Sequence, residues 1–328
     1  MTLGSDKVLD RADSIANLLN AVYKYYVAHG RSELSMQKFT LVPLAGPEDS
    51  NSSLGNQLFQ LSFGLFLKLQ RDENVRFYLR GARISDNSGF VADRNPPIYS
   101  LLSPHELVGQ SRISDALLRM ASHLPPTFDY HDVQEVNFDG VMRRIGGIRI
   151  ASGYFQNHKF VDAVKDELLA RFHASPLFRS AYSLDREHLA VHARYGDYVS
   201  KPKNVSRYGV LSAEYYLDAV SHLAKKCEFH SIVIVSDEPK VAWESIGVHL
   251  KRHSKLDVDM GVGTLVDDFC TLASSRGVVM SNSTFSWWGA WLASILRDAA
   301  VALPVPWYLD LSGGTPGLVN PRWFQIPR

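Results

Sequence analysis

The 328-residue chain predicts an α/β fold built as two successive Rossmann-type units. Three observations carry that expectation. Short apolar runs rich in β-branched residues alternate with helical periodicities, the pattern of parallel strands joined by crossover helices. Gly55 stands between a strand candidate, Phe39–Leu44, and the start of a helix, as in the first unit of a nucleotide-binding half. A second alternating series begins at His188 and closes in Gly277–Leu292, GVVMSNSTFSWWGAWL, where a strand, a polar turn and an apolar helix follow one another directly.

Composition narrows the class. The chain is 45% apolar and 21% charged, so a packed core is expected rather than disorder. A net charge of +1 offers no global field for nucleic acid or a membrane surface, and any basic site must be local. Cys227 and Cys270 form neither a metal pattern nor a disulfide framework, which suits a reducing compartment. The first residues, MTLGSDKVLDRADS, lack an apolar signal core. The longest uncharged apolar run, Phe285–Leu296, is too short to span a bilayer. A soluble cytoplasmic protein with no nucleic-acid partner is expected.

Residues 1–38 read as a helical N-terminal extension, with Leu18, Leu19, Val22, Tyr25 and Tyr26 at helical spacing and Gly30 as a stop. The strand Phe39–Leu44 leads into a polar loop, 45–53, and then a helix carrying Leu61, Phe63, Leu65, Phe66 and Leu69. Asn56 and Gln57 at that turn would point amides above the strand ends, although Asn56 could equally be a helix cap. No G-x-G-x-x-G is present, so no dinucleotide site is read. A second strand is expected at 75–80 and an irregular stretch over 81–150 with a helical patch at Ile113–Ser122. Asp162–Arg171 reads as a helix, and the chain changes lobe near Pro176–Leu184.

In the second series, His188–Arg194 is a strand with His192 and Arg194 on one face, ended by a turn at Tyr195–Tyr198. Ser212–Lys225 is an amphipathic helix, Ser231–Val235 a strand ending in Ser236-Asp237, and Val241–Ile246 a further helix. Leu265–Ser274 is a helix carrying Asp267 and Asp268. His192–Asp197, Ser236–Asp237 and Ser283–Thr284 all fall at the carboxyl ends of strands, where open α/β sheets bind ligands.

The turn at Ser283–Thr284 is an anion site in waiting, because it presents helix N-terminal N–H groups and two hydroxyls. A diphosphate there would call for a guanidinium, and Arg194 fits by position, unless Asp197 pairs it on the surface. His192 could meet a base or phosphate or be a satisfied core histidine. Asp237 is a weaker candidate for a ribose or base. Asp257-Val258-Asp259 is a literal D-x-D, the spacing that holds a divalent metal in many sugar-transfer enzymes, but its charged flanks suggest a solvated loop rather than ligands.

Three segments together, LGNQLFQ at 54–60, HARYGDY at 192–198 and SNSTFSWWGAWL at 281–292, resemble those of the α-1,2-fucosyltransferase family. The resemblance runs from about residue 39 to 300. It implies a GT-B-like pair of lobes with an interlobe cleft, an acceptor-side lobe over 39–183 and a GDP-fucose lobe over 184–328. It further implies metal-independent inverting transfer of fucose to O-2 of a galactose-terminated glycan. Carried over by motif, His192 and Arg194 contact the nucleotide, and Ser283 and Thr284 form the phosphate turn. Asp268 takes the guanosine, Asn56 faces the reaction centre, and Asp197 is the nearest carboxylate for a base. Tyr195 departs from the second arginine of the pattern, Ser52-Ser53 from its Gly-Gly, and Asp268–Leu272 from its D-F-x-x-M. Another linkage, a protein acceptor, or a non-catalytic binding relative are the competing expectations.

Overall fold

The computed structural model describes residues 39–44, 54–79, 97–108, 140–145, 148–183, 186–261, 263–310 and 317–328. The helix expected in 1–38, the loop 45–53 and the helical patch at 113–122 lie outside the described residues.

The first sheet holds β1 (Phe39–Leu44), β2 (Val75–Leu79), β3 (Leu107–Val108), β4 (Gly140–Ile145) and β5 (Ile148–Gly153) in the order β3-β2-β1-β5-β4. The first three strands and β5 pair in parallel, whereas β4 and β5 form an antiparallel pair. Between β1 and β2 runs α1 (Leu54–Gln70), whose apolar face, including Leu58, Phe59, Leu61 and Leu65, is fully buried. The helix starts at Leu54, so Gly55 and Asn56 lie in its first turn rather than in a turn before it.

Two expectations are corrected here. The stretch over 81–150 is not wholly irregular, since β3, β4 and the start of β5 fall in it. In β4 the sequence GVMRRI mixes exposed arginine with apolar residues, and pairing with β5 rather than local pattern makes it a strand. The single helix expected at Asp162–Arg171 is two, His158–Ala163 and Lys165–Ala174, broken where Val164 leaves helical geometry at φ −123°.

The second sheet is all parallel, in the order β11-β10-β9-β6-β7-β8. Its strands are β6 (Arg186–Ala193), β7 (Ser231–Ser236), β8 (Asp257–Met260), β9 (Ser275–Val279), β10 (Ala300–Val305) and β11 (Phe324–Pro327). Read from β8, this is the doubly wound order 3-2-1-4-5-6, and the winding reverses between β6 and β9. The connecting helices include α2 (Ala213–Ala224), α3 (Leu265–Ala273) and α4 (Thr284–Leu296), each capped by the hydroxyl before it, Ser212, Thr264 and Ser283.

The strands of this sheet are covered on both sides, as their continuous apolar runs require. On one face Leu189, Val191, Ile232 and Ile234 pack with Tyr215 and Tyr216 of α2. On the other, Ala190, Val235 and Val278 join a larger cluster through α3 and α4. That cluster continues into the first sheet, because Phe59 of α1 meets Trp287 and Trp288 at ring distances of 4.7 and 5.1 Å. The tryptophans of α4 therefore join the two lobes. Among the described residues no helix is long and apolar enough to cross a membrane.

Candidate functional site

The reversal between β6 and β9 opens a crevice at the carboxyl ends of these strands, flanked by the residues that follow each. After β6 come Arg194 and Asp197, and after β9 come Ser281–Thr284. The β7 end adds Asp237.

Arg194 is held by two carboxylates. Its Nε and one Nη donate to Asp197 Oδ1 at 3.2 and 2.6 Å, and the other Nη faces Asp237 Oδ2 at 3.2 Å. A guanidinium has five N–H donors, so one on each Nη stays outside these pairs. Each acid is fixed in turn. Asn204 Nδ2 donates to Asp197 Oδ2 at 2.8 Å, and the Tyr195 N–H donates to Asp237 Oδ1 at 3.0 Å. The close fit depends on Gly196, where a Cβ would lie 2.4 Å from Asp237 Oδ2. Asp197 and Asp237 thus aim the arginine.

Tyr195 supplies only its backbone here. Its side chain is buried in the apolar cluster that includes Tyr215 and Tyr216 of α2, so it does not stand in for a second cation.

The turn before α4 is rigidly built. Tyr215 Oη donates to the Met280 carbonyl at 2.6 Å, Tyr198 Oη to the Asn282 carbonyl at 2.9 Å, and Asn282 Nδ2 to the Tyr208 carbonyl at 2.8 Å. Ser286 Oγ bonds back to the Ser281 and Ser283 carbonyls. His192 lies beneath this turn, 4% exposed, with Nδ1 2.7 Å from Ser281 Oγ and its ring 5.5 Å from that of Phe285. Burial, and secondly Arg194, push its pKa down to about 3, so the ring is neutral. Its place is under the helix start, as a support.

At α4 the Ser283 hydroxyl accepts from the Phe285 N–H, which leaves its own proton for another partner. Thr284 differs, since its hydroxyl donates to Asn56 Oδ1 at 3.1 Å. The start of α1 thus meets the start of α4, and two helix N-termini converge. Gly55 makes this possible, because a Cβ there would lie 2.5 Å from the Thr284 carbonyl carbon and 2.7 Å from the Phe285 nitrogen.

The structure brings in two residues the sequence did not single out. Gln156, in the loop after β5, donates through Nε2 to Asn56 Oδ1 at 2.9 Å. Tyr308, beyond β10, donates to Gln156 Oε1 at 2.8 Å. Both follow strand ends, and that rule could have found them had β5 and β10 been recognised. An aromatic run connects this group to Arg194: the guanidinium lies 5.8 Å from the Tyr198 ring, Tyr198 stacks on Tyr208 at 4.6 Å, and Tyr208 meets Tyr308 at 5.6 Å.

Asp268 sits in the first turn of α3, 8% exposed, with Oδ1 accepting from the Gly263 N–H at 3.2 Å. Burial raises its pKa, against which the Gly263 bond works. Because α3 follows β8, this carboxylate lies along the same sheet edge as Asp237, farther from the reversal.

Asp257-Val258-Asp259 is a strand rather than a loop. It is β8 itself, at the sheet edge, with Val258 buried and both aspartates exposed. Asp257 pairs with Ser231 and Asp259 with Val233, at the amino half of β7. The pair therefore sits away from the end that carries Arg194 and Thr284.

The chain is similar to known glycosyltransferases. The model of glycosyl transferase family 11 matches residues 149–306, which run from β5 past the end of β10. An α-1,2-colitosyltransferase of Escherichia coli is 24% identical over 269 residues, covering 78% of this chain and 89% of its own. The O-antigen biosynthesis glycosyltransferase WbnK of Escherichia coli is 25% identical over 165 residues, 47% of this chain and 54% of its own. Among solved structures, POFUT1 in complex with GDP aligns with a TM-score of 0.39 and 11% identity, over 81% of this chain and 98% of that one. The chain is thus a glycosyltransferase, and its residues 149–306, which hold two of the three motifs, match the model of glycosyl transferase family 11.

Proposed function

We propose that the protein moves L-fucose from GDP-fucose to O-2 of a galactose at the end of a glycan, with inversion at the fucose anomeric carbon. The observation that carries this reading is the meeting of the Arg194 strand end and the α4 N-terminus at the reversal of the second sheet. In that crevice the diphosphate would lie on the first-turn N–H groups of α4 and the Ser283 hydroxyl, while the two outlying N–H groups of Arg194 meet the phosphate that leaves. Arg194 with Asp197 and Asp237 sums to a local formal charge of −1, from one cation and two anions. Backbone dipoles must therefore carry much of the anion's charge.

Transfer through an oxocarbenium-like transition state needs chiefly this stabilisation of the departing GDP. Asp268 would accept from the N–H edge of the guanine. No metal takes part in the proposed reaction, and the remote position of Asp257 and Asp259 supports that. Cys227 and Cys270 are thiols rather than a disulfide, which fits a cytoplasmic setting. The α-1,2-colitosyltransferase relative favours one second reading, in which the sugar is colitose, a fucose lacking the 3-hydroxyl.

The test incubates the purified chain with GDP-fucose or GDP-colitose and a panel of β-galactosides, and follows GDP release and product linkage. An α-1,2-fucosylated galactoside is expected. Turnover of GDP-colitose alone would give the second reading, and hydrolysis or silence with both donors would exclude transfer to galactose.

A further inference from the structure

We infer that Gln156 is a positioning residue that sets which end of the Asn56 amide faces the sugar of the nucleotide donor. The inference rests on the donor placement proposed above. An amide carries its acceptor and its two donors at opposite ends of one plane, so its partners dictate its orientation. Here a relay with a single direction crosses both lobes. The Tyr308 hydroxyl gives its proton to Gln156 Oε1 at 2.8 Å, which turns Gln156 Nε2 toward Asn56. Nε2 donates to Asn56 Oδ1 at 2.9 Å, and the Thr284 hydroxyl donates to the same oxygen at 3.1 Å. With both donors on its oxygen, Asn56 directs its own two N–H groups away from them.

Thr284 opens α4, where the diphosphate is proposed to sit, so the Asn56 amide stands one hydrogen bond from that anion. The group attached to the second phosphate is the sugar. Hydroxyl and glycosidic oxygens there are acceptors, and they require the nitrogen end of Asn56.

The backbone around Gln156 is an independent sign of a positioned residue. Phe155, just before it, takes a left-handed φ of 55°, a conformation bulky side chains disfavour. It is kept there by full burial and by a ring stack on Phe63 of α1 at 3.9 Å and 3°. On the other side Asn157 caps the following helix through Lys159 N. Gln156 is thus clamped from both neighbours, and β1 and β5, which precede Asn56 and Gln156, are adjacent at the reversal of the first sheet.

The experiment uses the full chain and the variants Gln156→Met and Gln156→Glu. Methionine removes both polar ends without adding charge. Glutamate still accepts from Tyr308 but has no proton for Asn56, whose amide then gains by turning over. Calorimetry gives the affinities for GDP and GDP-fucose, and kinetics gives kcat and KM. In both variants we expect GDP-fucose affinity relative to GDP to fall at least fivefold and kcat at least tenfold, with GDP affinity of Gln156→Met within twofold of wild type. A wild-type ratio in both variants would overturn the inference, as would a loss of GDP affinity in Gln156→Met equal to that of GDP-fucose. If the wild-type chain binds GDP-fucose more tightly than GDP yet transfers nothing, the proposed reaction fails and the affinity ratio still decides the role of Gln156. A wild-type chain that binds GDP-fucose no more tightly than GDP overturns the role of Gln156 whether or not it transfers.

Discussion

Thr284 and Asn56 lie 228 residues apart in sequence and share a hydrogen bond of 3.1 Å that joins the start of α4 to the start of α1. Gly55 permits this approach. Its missing Cβ would overlap the Thr284 and Phe285 backbone, which cannot retreat without moving α4. Gly55→Ala is therefore expected to cost about 1–3 kcal/mol of stability, as overpacking does, and to reduce transfer even where the protein remains folded. Thermal melts beside turnover assays check this. A fully stable, fully active variant would mean that the two helix starts need not touch.

Arg194 presents a second test. Arg194→Ala removes the phosphate contact and leaves Asp197 and Asp237 uncompensated, so a loss of about 2–4 kcal/mol in transition-state stabilisation is expected. Arg194→Lys should recover little, since a lysine cannot hold both acids and a phosphate with one fork. Asp237→Asn, which keeps an oxygen for the Tyr195 N–H, should do less harm than Arg194→Ala. Single-turnover rates on the three variants settle the order, and an active Arg194→Ala protein would remove Arg194 from the mechanism.

The exposed acidic pair on β8 makes a third. Asp259→Asn is expected to leave transfer within about twofold of wild type, and excess chelator should leave it unchanged. Activity lost in chelator and restored by manganese or magnesium would require a metal-dependent mechanism.

A fourth prediction concerns acid stability. The imidazole of His192 titrates near 6.5 in an unfolded chain and, buried beside Arg194, at about 3 in the folded one. As pH falls the unfolded state takes up the proton first. Stability is therefore complete above about 6.5 and declines toward 3, by up to about 1.4 kcal/mol per pH unit. Glu106 adds a lower step. Burial alone would raise its pKa, but bonds from Arg171 and Lys68 hold it at about 2, so its contribution is present above about 4.5 and is lost as pH falls through 2. Urea titrations at successive pH values should show a shallower slope between pH 6 and 4 in His192→Asn. An unchanged slope would mean that this ring is not the proton acceptor.

Most of the site was legible because its pieces are local. Ser212 and Ser283 cap the helices whose starts they mark in the sequence. The alternating arrangement of strand and helix put Arg194, Asp237 and Thr284 at strand ends before any geometry was known. One local signal was misread: in Asp257–Met260 the charged flanks suggested a loop, although the alternation of exposed and buried residues is that of a strand.

What the sequence determined by itself is the succession of strands, caps and crossover helices, and with it the edge of each sheet where a ligand could bind. These depend on periodicities of two and 3.6 residues and on caps that act within one turn. Only the tertiary structure decided how the two edges meet. It gave Asp197 and Asp237 to Arg194, drew His192 beneath the turn, and recruited Gln156 and Tyr308 to orient Asn56. The bonds of Gln156 span 100 residues to Asn56 and 152 to Tyr308. Contacts over such separations leave no periodic trace, because the packing of α1 on α4, and not any neighbour along the chain, brings the partners together.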